Sequence, residues 1–295
     1  MGKERARACS QLGVVLAAVY DTDFGRATEM AQQYPGCRAF GGDDFTLGTD
    51  HDAVFICTPP GQRGKVELAA IAAGLPFFVE KPIAISAAAA VAVRRALSAR
   101  PVIHAVGYMN RYRSSVQHAR QVISRSHMIG ITAYWVGRKY AVPWWLDPEA
   151  SGGPVNEQAT HLLDTCRYLA GEVEKIETVS GAPLPMFRCA ATLIFRNGCS
   201  GTIFYSCEAQ GKQIGFRVIA EEGGLDLTGW DLRMSSNTID GTIPDNQTED
   251  IFVKETDRFL QAVREGDSRL VECTFEDAFK TQLLMDAMLR VNLPA

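Results

Sequence analysis

The chain begins by alternating short, nearly continuous apolar runs with stretches of helical period. The apolar runs are Val14 to Tyr20, Ala53 to Thr58, Pro76 to Glu80 and Val102 to Tyr108, with Cys37 to Phe40 a candidate short strand between the first two. A run without a polar face suits a parallel strand buried on both sides. Between the runs, Lys3 to Leu12, Phe24 to Tyr34, Arg63 to Ala73 and the alanine-rich segment from Ser86 to about Ala99 predict helices. Pro35-Gly36 and Gly74 stand where such helices should stop, and Pro59-Pro60-Gly61 ends a strand. This alternation predicts an α/β, Rossmann-like doubly wound parallel sheet over residues 1–110.

After Tyr108 the pattern changes. Ser114 to Arg125 reads as a helix, Gly130 to Lys139 as a long strand, and about Pro154 to Leu169 as another helix. Further β-runs lie at Ala190 to Arg196, Gly201 to Cys207, Gly215 to Ala220 and Gly224 to Leu227. Asn197-Gly198 between the first two is a strong hairpin signal. Lys254 to Glu265 and Phe275 to Val291 read as helices, and Gly241 to Asp250 is a polar, turn-rich stretch expected to be mobile. Residues 111–295 are therefore expected to form an α+β domain on a largely antiparallel open sheet.

Composition narrows the partners. With 295 residues, 46% of them hydrophobic, the chain can bury a core for each domain. A net charge of -4 without a basic stripe argues against nucleic acid. The sequence shows no apolar run long enough to span a membrane and no signal-peptide pattern, so a cytoplasmic protein is expected. Its eight cysteines include no CxxC pair, and HExxH is absent. Neither a metal site nor a disulfide framework is expected, only reduced thiols.

Ligands of such sheets bind at the carboxyl ends of the strands. Three predicted ends carry suggestive residues. Asp21 follows the first run, where a carboxylate accepts hydrogen bonds from ribose hydroxyls and repels a 2′-phosphate. Thr58-Pro59-Pro60 follows another, as a rigid loop with exposed backbone groups. Glu80-Lys81-Pro82 follows a third.

These elements, together with AAGLPFFVEKPIA, VGYMNRY and SGGPVNEQATHLLD, resemble the Gfo/Idh/MocA oxidoreductase family over essentially the whole chain. The resemblance implies NAD or NADP in the first domain, with NAD slightly favoured by Asp21, and a sugar, cyclitol or related substrate. It also implies a homodimer or homotetramer through the second-domain sheet. Gly2, Asp21, Thr58, Pro59, Glu80, Lys81 and Asn110 match cofactor-binding positions. Lys81 matches the active-site lysine, which can stabilise a developing alkoxide, and the bond to Pro82 is often cis in the family. His161 matches the usual general acid or base. Glu157 stands where sugar dehydrogenases usually carry aspartate, one helical turn earlier on the same face. Arg111 matches a segment bridging cofactor and substrate, and Arg138, Tyr140, Trp144, Trp145 and Asp147 match a substrate wall. The alternative for the two tryptophans is that they fill an interface. Arg63 departs from a histidine common in the family, and Arg5 stands at another position often held by histidine.

The start of the sequence is unusual. Gly2 falls on the third glycine of a dinucleotide fingerprint, and about ten residues of strand and glycine turn that should precede it are not in the sequence. A start assigned too late or a lost beginning, a natural truncation that has abandoned the cofactor, and a variant completing its sheet with another segment or subunit all remain open. Three functions follow. The first is NAD(P)-dependent hydride transfer to or from a secondary alcohol or ketone. The second is redox-silent elimination, epimerisation or cyclisation in a Lys81/Glu157/His161 cleft, without cofactor. The third is a non-catalytic partner of an intact homologue.

Overall fold

The computed structural model describes residues 1–42, 47, 50–179, 186–236 and 249–290. The expected turn-rich stretch as far as residue 248, and residue 291 of the expected last helix, lie outside the described residues. Helix α1 (Gly2–Gln11) leads into β1 (Ala18–Tyr20), α2 (Phe24–Ala31) and β2 (Arg38–Phe40), and β2 pairs parallel with β1. Strands β3 (Val54–Ile56), β4 (Phe77–Val79) and β5 (His104–Val106) form a parallel set in that order, connected through α3 (Lys65–Ala73) and α4 (Ala87–Ala99). Among the described residues no strand joins β1 to β3, so the parallel sheet stands in two hydrogen-bonded pieces. The first run is correspondingly shorter than its apolar pattern suggests. Residues 14–17 are irregular and Val15 is 79% exposed, because β2 reaches back no farther than the Ala17 carbonyl, which accepts from the Arg38 amide at 3.0 Å.

The second part begins with α5 (Ser114–Ile123) and β6 (Met128–Arg138). Two single-turn helices, α6 (Pro143–Leu146) and α7 (Pro148–Ser151), precede the long α8 (Gly153–Ala170). Six strands follow: β7 (Val173–Val179), β8 (Arg188–Phe195), β9 (Ser200–Ser206), β10 (Glu208–Ala220), β11 (Gly223–Thr228) and β12 (Arg233–Ser236). Helices α9 (Ile251–Glu265) and α10 (Phe275–Leu289) end the described chain. The sheet runs β12-β11-β10-β6-β9-β8-β7 and is antiparallel except between β6 and β9. Its edge strands β7 and β12 escape the sequence pattern because VEKIETV and RMSS carry little apolar alternation. The first half of β10 escapes for another reason. Glu208 pairs with Arg138 and Gln213 with Val136, so residues 209–212 bulge opposite Gly137 and lose the period of two.

Alternation explains the core of the first part. Phe77 and Val79 of β4 pack with Ile71, Val93 and Phe275, whereas Phe78 faces Ala105 and Phe259 on the other side. Phe259 and Phe275 belong to α9 and α10, so the last two helices of the 111–295 segment return to cover both faces of the first sheet. Every residue of α8 is buried, between the second sheet and α10. Its side chains are thereby fixed against both parts of the molecule.

Candidate active site

The loop after β4 and the first turns of α8 meet at Lys81. Its peptide bond to Pro82 is cis. Two close approaches hold the loops together. A Cβ on Gly61 would fall 2.1 Å from the Glu149 carbonyl oxygen, so the turn after Thr58 lies directly on α7. Asn156 Nδ2 donates to the Ser151 carbonyl at 2.9 Å and to the Ala84 carbonyl at 3.3 Å, tying α8 to the segment beyond Pro82.

Lys81 Nζ donates to the Glu157 backbone carbonyl at 2.7 Å and to Glu157 Oε1. Glu157 Oε2 accepts from Trp145 Nε1 at 2.8 Å and from Gln158 Nε2 at 2.7 Å. An ammonium has three N–H donors, and among the described residues two are used, leaving one to donate elsewhere. The carboxylate, by contrast, is held by three donors. It orients Lys81 rather than His161, to which it makes no hydrogen bond among the described residues.

His161 lies one turn farther along α8. Its ring stacks on Trp135, with centroids 5.1 Å apart and planes within 10°, and meets the Tyr108 ring edge-on. Nδ1 is buried with no hydrogen-bond partner. Burial holds the imidazole well below its ordinary pKa, and the positive charges of Lys81, Lys212 and Arg113 lower it further. His161 is therefore neutral at neutral pH. An imidazole depressed in the fold stays uncharged while the unfolded chain protonates it. Its contribution to stability is retained above the usual pKa near 6.5 and lost as pH falls from there through the folded value. Chemical denaturation from pH 8 to pH 5 should show His161→Phe losing less stability than the parent; equal losses would refute the burial of a neutral ring.

Beside this shell lies a cavity of about 250 Å³, lined by Trp135, Arg138, Tyr140, Trp145, Gln158 and Lys212 among others. Lys81 and His161 sit behind its wall, reached through Trp135, Trp145 and Gln158. Of the expected substrate wall, the structure brings Arg138, Tyr140 and Trp145 to this cavity. Trp145 is 1% exposed, and Tyr140 packs against it with ring centroids 5.0 Å apart. Trp144, Asp147 and Arg111 do not line it. Asp147 caps α7 through the Glu149 amide at 2.9 Å, and Trp144 is partly exposed. Arg111 binds both carboxylate oxygens of Asp164, at 2.6 and 2.9 Å, and reaches Asp277, which fastens α8 to α10.

The residues matched to cofactor positions occupy the strand ends. Asp21, after β1, accepts from Arg26 at 2.8 Å and from the Asp23 amide at 2.9 Å. The ideal Cβ of Gly2 would lie 3.8 Å from Cys57 Cβ, placing the start of α1 beside the end of β3. There the hydroxyl of Thr58 is buried without a partner, and Pro59 leads into the turn that meets α7. Glu80 is engaged by Arg5 Nε at 2.8 Å. Asn110 spends its side chain internally, donating to Thr165 and accepting from Arg113, each at 3.2 Å.

Sequence reasoning missed Trp135, Lys212 and Gln158. Trp135 is one of several apolar residues of a long strand, and nothing local marks it. Lys212 lies in the bulge of β10, where the pattern that would have drawn attention to it is broken. Gln158 adjoins Glu157 and could have been suspected from that alone.

Residues 1–108 match a family model described as an oxidoreductase family with an NAD-binding Rossmann fold, and residues 119–226 match the GFO/IDH/MocA C-terminal domain. The chain belongs to the Gfo/Idh/MocA family. Its relatives in this family include a scyllo-inositol 2-dehydrogenase (NAD(+)) of Bacillus subtilis, 28% identical over 88% of this chain and 81% of the other. An inositol 2-dehydrogenase of Acidothermus cellulolyticus is 30% identical over 61% of this chain and 54% of its own. Among solved structures, a levoglucosan dehydrogenase in complex with NADH superposes with a TM-score of 0.84, covering 98% of this chain and 93% of that one at 21% identity. That likeness extends to the whole two-part architecture described above. No helix among the described residues is long and apolar enough to cross a membrane.

Proposed function

We propose that the protein is an NAD-dependent dehydrogenase that interconverts a secondary alcohol and ketone of a sugar or cyclitol. The observation carrying this reading is the Lys81 ammonium, pinned by Glu157 with one donor left over, beside a neutral imidazole whose Nδ1 has no partner. His161 takes the proton of the substrate hydroxyl. Lys81 donates to the same oxygen as negative charge develops on it. Glu157 positions Lys81, and Trp135 and Tyr108 fix the imidazole plane. The family relatives' dehydrogenase names favour this reading over cofactor-independent proton transfer.

The residues present fit a nicotinamide dinucleotide. The buried hydroxyl of Thr58 needs a partner, and it lies at a strand end beside the start of α1. Helix-terminal amides there suit a phosphate, and Asp21 suits a ribose diol. Gly2, Asp21, Thr58, Pro59 and the Glu80-Lys81 backbone would hold the cofactor, with Asn110 acting behind them. When bound, NAD supplies the hydride acceptor. Asp21, steadied by Arg26, opposes a 2′-phosphate, so NADH should bind more tightly than NADPH by at least about tenfold. Asp21→Ser should shrink that ratio. Calorimetric titration checks both, and binding of neither nucleotide would reject the dehydrogenase reading.

The face of the second sheet turned away from α8 exposes Tyr134, Ile194, Phe204 and Ile219, which supports a homodimer or homotetramer through that face. A small-molecule substrate in a cytoplasmic protein accords with the near-neutral charge and free thiols.

A further inference from the structure

The cavity beside the active site is positively charged in a way that a neutral polyol does not require. Two cations line it, Arg138 from the end of β6 and Lys212 from the bulge of β10. Neither has a carboxylate partner among the described residues. Glu208, in register with Arg138 on the neighbouring strand, is taken by Arg188 at 2.8 Å. Lys212 instead rests its ammonium over the Trp230 ring, 4.1 Å from the centroid, and faces Trp135 at 5.5 Å. Among the described residues the cavity wall contains no aspartate or glutamate. The nearby carboxylate of Glu157 is already committed to Lys81, Trp145 and Gln158.

The backbone supports a designed rather than incidental placement. Four residues, 209–212, stand opposite the single Gly137, and this bulge turns Gln210 and Lys212 onto the cavity. Bulges of this kind re-aim side chains next to active sites. Four aromatic side chains, Trp135, Tyr140, Trp145 and Tyr205, share the rest of the wall with Gln158, Gln210 and smaller residues. Such surfaces stack on the apolar face of a ring. At about 250 Å³ the cavity lies below the range of roughly 300–1,000 Å³ typical of drug-sized ligands. A single ring fits it.

We propose that the substrate is a monosaccharide or cyclitol carrying one anionic group, a carboxylate or a phosphate, held by Lys212 and Arg138 while its ring rests on the cavity tryptophans. This deepens the proposed dehydrogenase function and rests on it for the reaction, though not for the binding. A planar guanidinium meets a carboxylate or phosphate with two parallel hydrogen bonds, and the mobile ammonium supplies a point charge from the other side.

Isothermal titration of the full chain with glucose, glucuronate and glucose 6-phosphate, each with and without NADH, tests the binding directly. At least one anion should bind at least about tenfold more tightly than glucose, and the better one identifies the group. Lys212→Gln and Arg138→Gln should each weaken that anion by about 10- to 100-fold and glucose by much less. Added salt should reduce the preference. Equal affinity for glucose and both anions, or variants that weaken all three alike, would overturn the proposal. Loss of NADH binding with the anion preference intact would instead remove the dehydrogenase reading and leave the anion site standing.

Discussion

Replacing Lys81 by methionine should lower kcat by about 10³-fold, the scale of removing a positioned donor to a developing oxyanion. Methionine keeps most of the aliphatic stem, so the side chain still fills its place beside α8 and only the charged donor is lost. In the native site that donor is aimed by two hydrogen bonds to one residue, the Glu157 carbonyl and carboxylate. Glu157→Gln should therefore reduce kcat as well, by a smaller factor, because glutamine retains an acceptor but not the charge that holds the ammonium. NADH titration of both variants separates a fault in chemistry from a fault in folding or cofactor affinity. A Lys81→Met enzyme within about threefold of the parent in kcat and kcat/KM would remove lysine from the chemistry.

Arg5→Ala should destabilise the protein by about 3–5 kcal/mol, the usual cost of removing one member of a buried ion cluster. Arg5 is 2% exposed and bonds Glu80 at 2.8 Å, Glu255 at 2.5 Å and Thr256 at 3.1 Å, with its guanidinium 4.2 Å from the Phe78 ring centroid. It joins α1, the end of β4 and α9 in one contact. Without it, two buried carboxylates lose the cation that hydrogen-bonds them both. Burial already raises the Glu255 pKa, which Arg5 opposes. Losing Arg5 raises it further above the unfolded value, so the variant keeps more of its stability at low pH and loses it as pH rises through the folded pKa. Denaturant unfolding at pH 5 and pH 8 should show the larger deficit at pH 8. A deficit below about 1 kcal/mol at both would mean that the cluster is not structural.

Much of the site can be read from motifs because motif residues stand at chain positions that topology forces together. Lys81 ends a parallel strand, and Glu157 and His161 share a helix face four residues apart. The sequence therefore supplies both halves of the constellation before any contact is known. It also supplies the apolar strands, since burial on both faces leaves a local imprint in every residue of the run. The same imprint misleads at residues 14–17, where the residues are apolar but hydrogen-bonded strand geometry is lacking. Arg111, Trp144 and Asp147 are a comparable case. Arg111 suits a bridge between cofactor and substrate and the other two suit a substrate wall, yet their side chains are respectively spent on an ion cluster, turned partly to solvent and used to cap a helix.

Sequence alone determined the family and the two-part architecture, and it pointed to the lysine, the glutamate and the histidine. Local period and strand-end chemistry are properties of neighbouring residues, and the chain states them directly. Tertiary structure decided which partner each of those groups serves. It made Glu157 the anchor of Lys81, left His161 neutral beneath Trp135, and turned Arg5 into the buried tie between α1, β4 and α9. It also brought Lys212 from a bulge to the cavity that holds Arg138. Each of these depends on burial and on contacts between residues far apart in sequence. Such distances and desolvation exist only once the chain has folded.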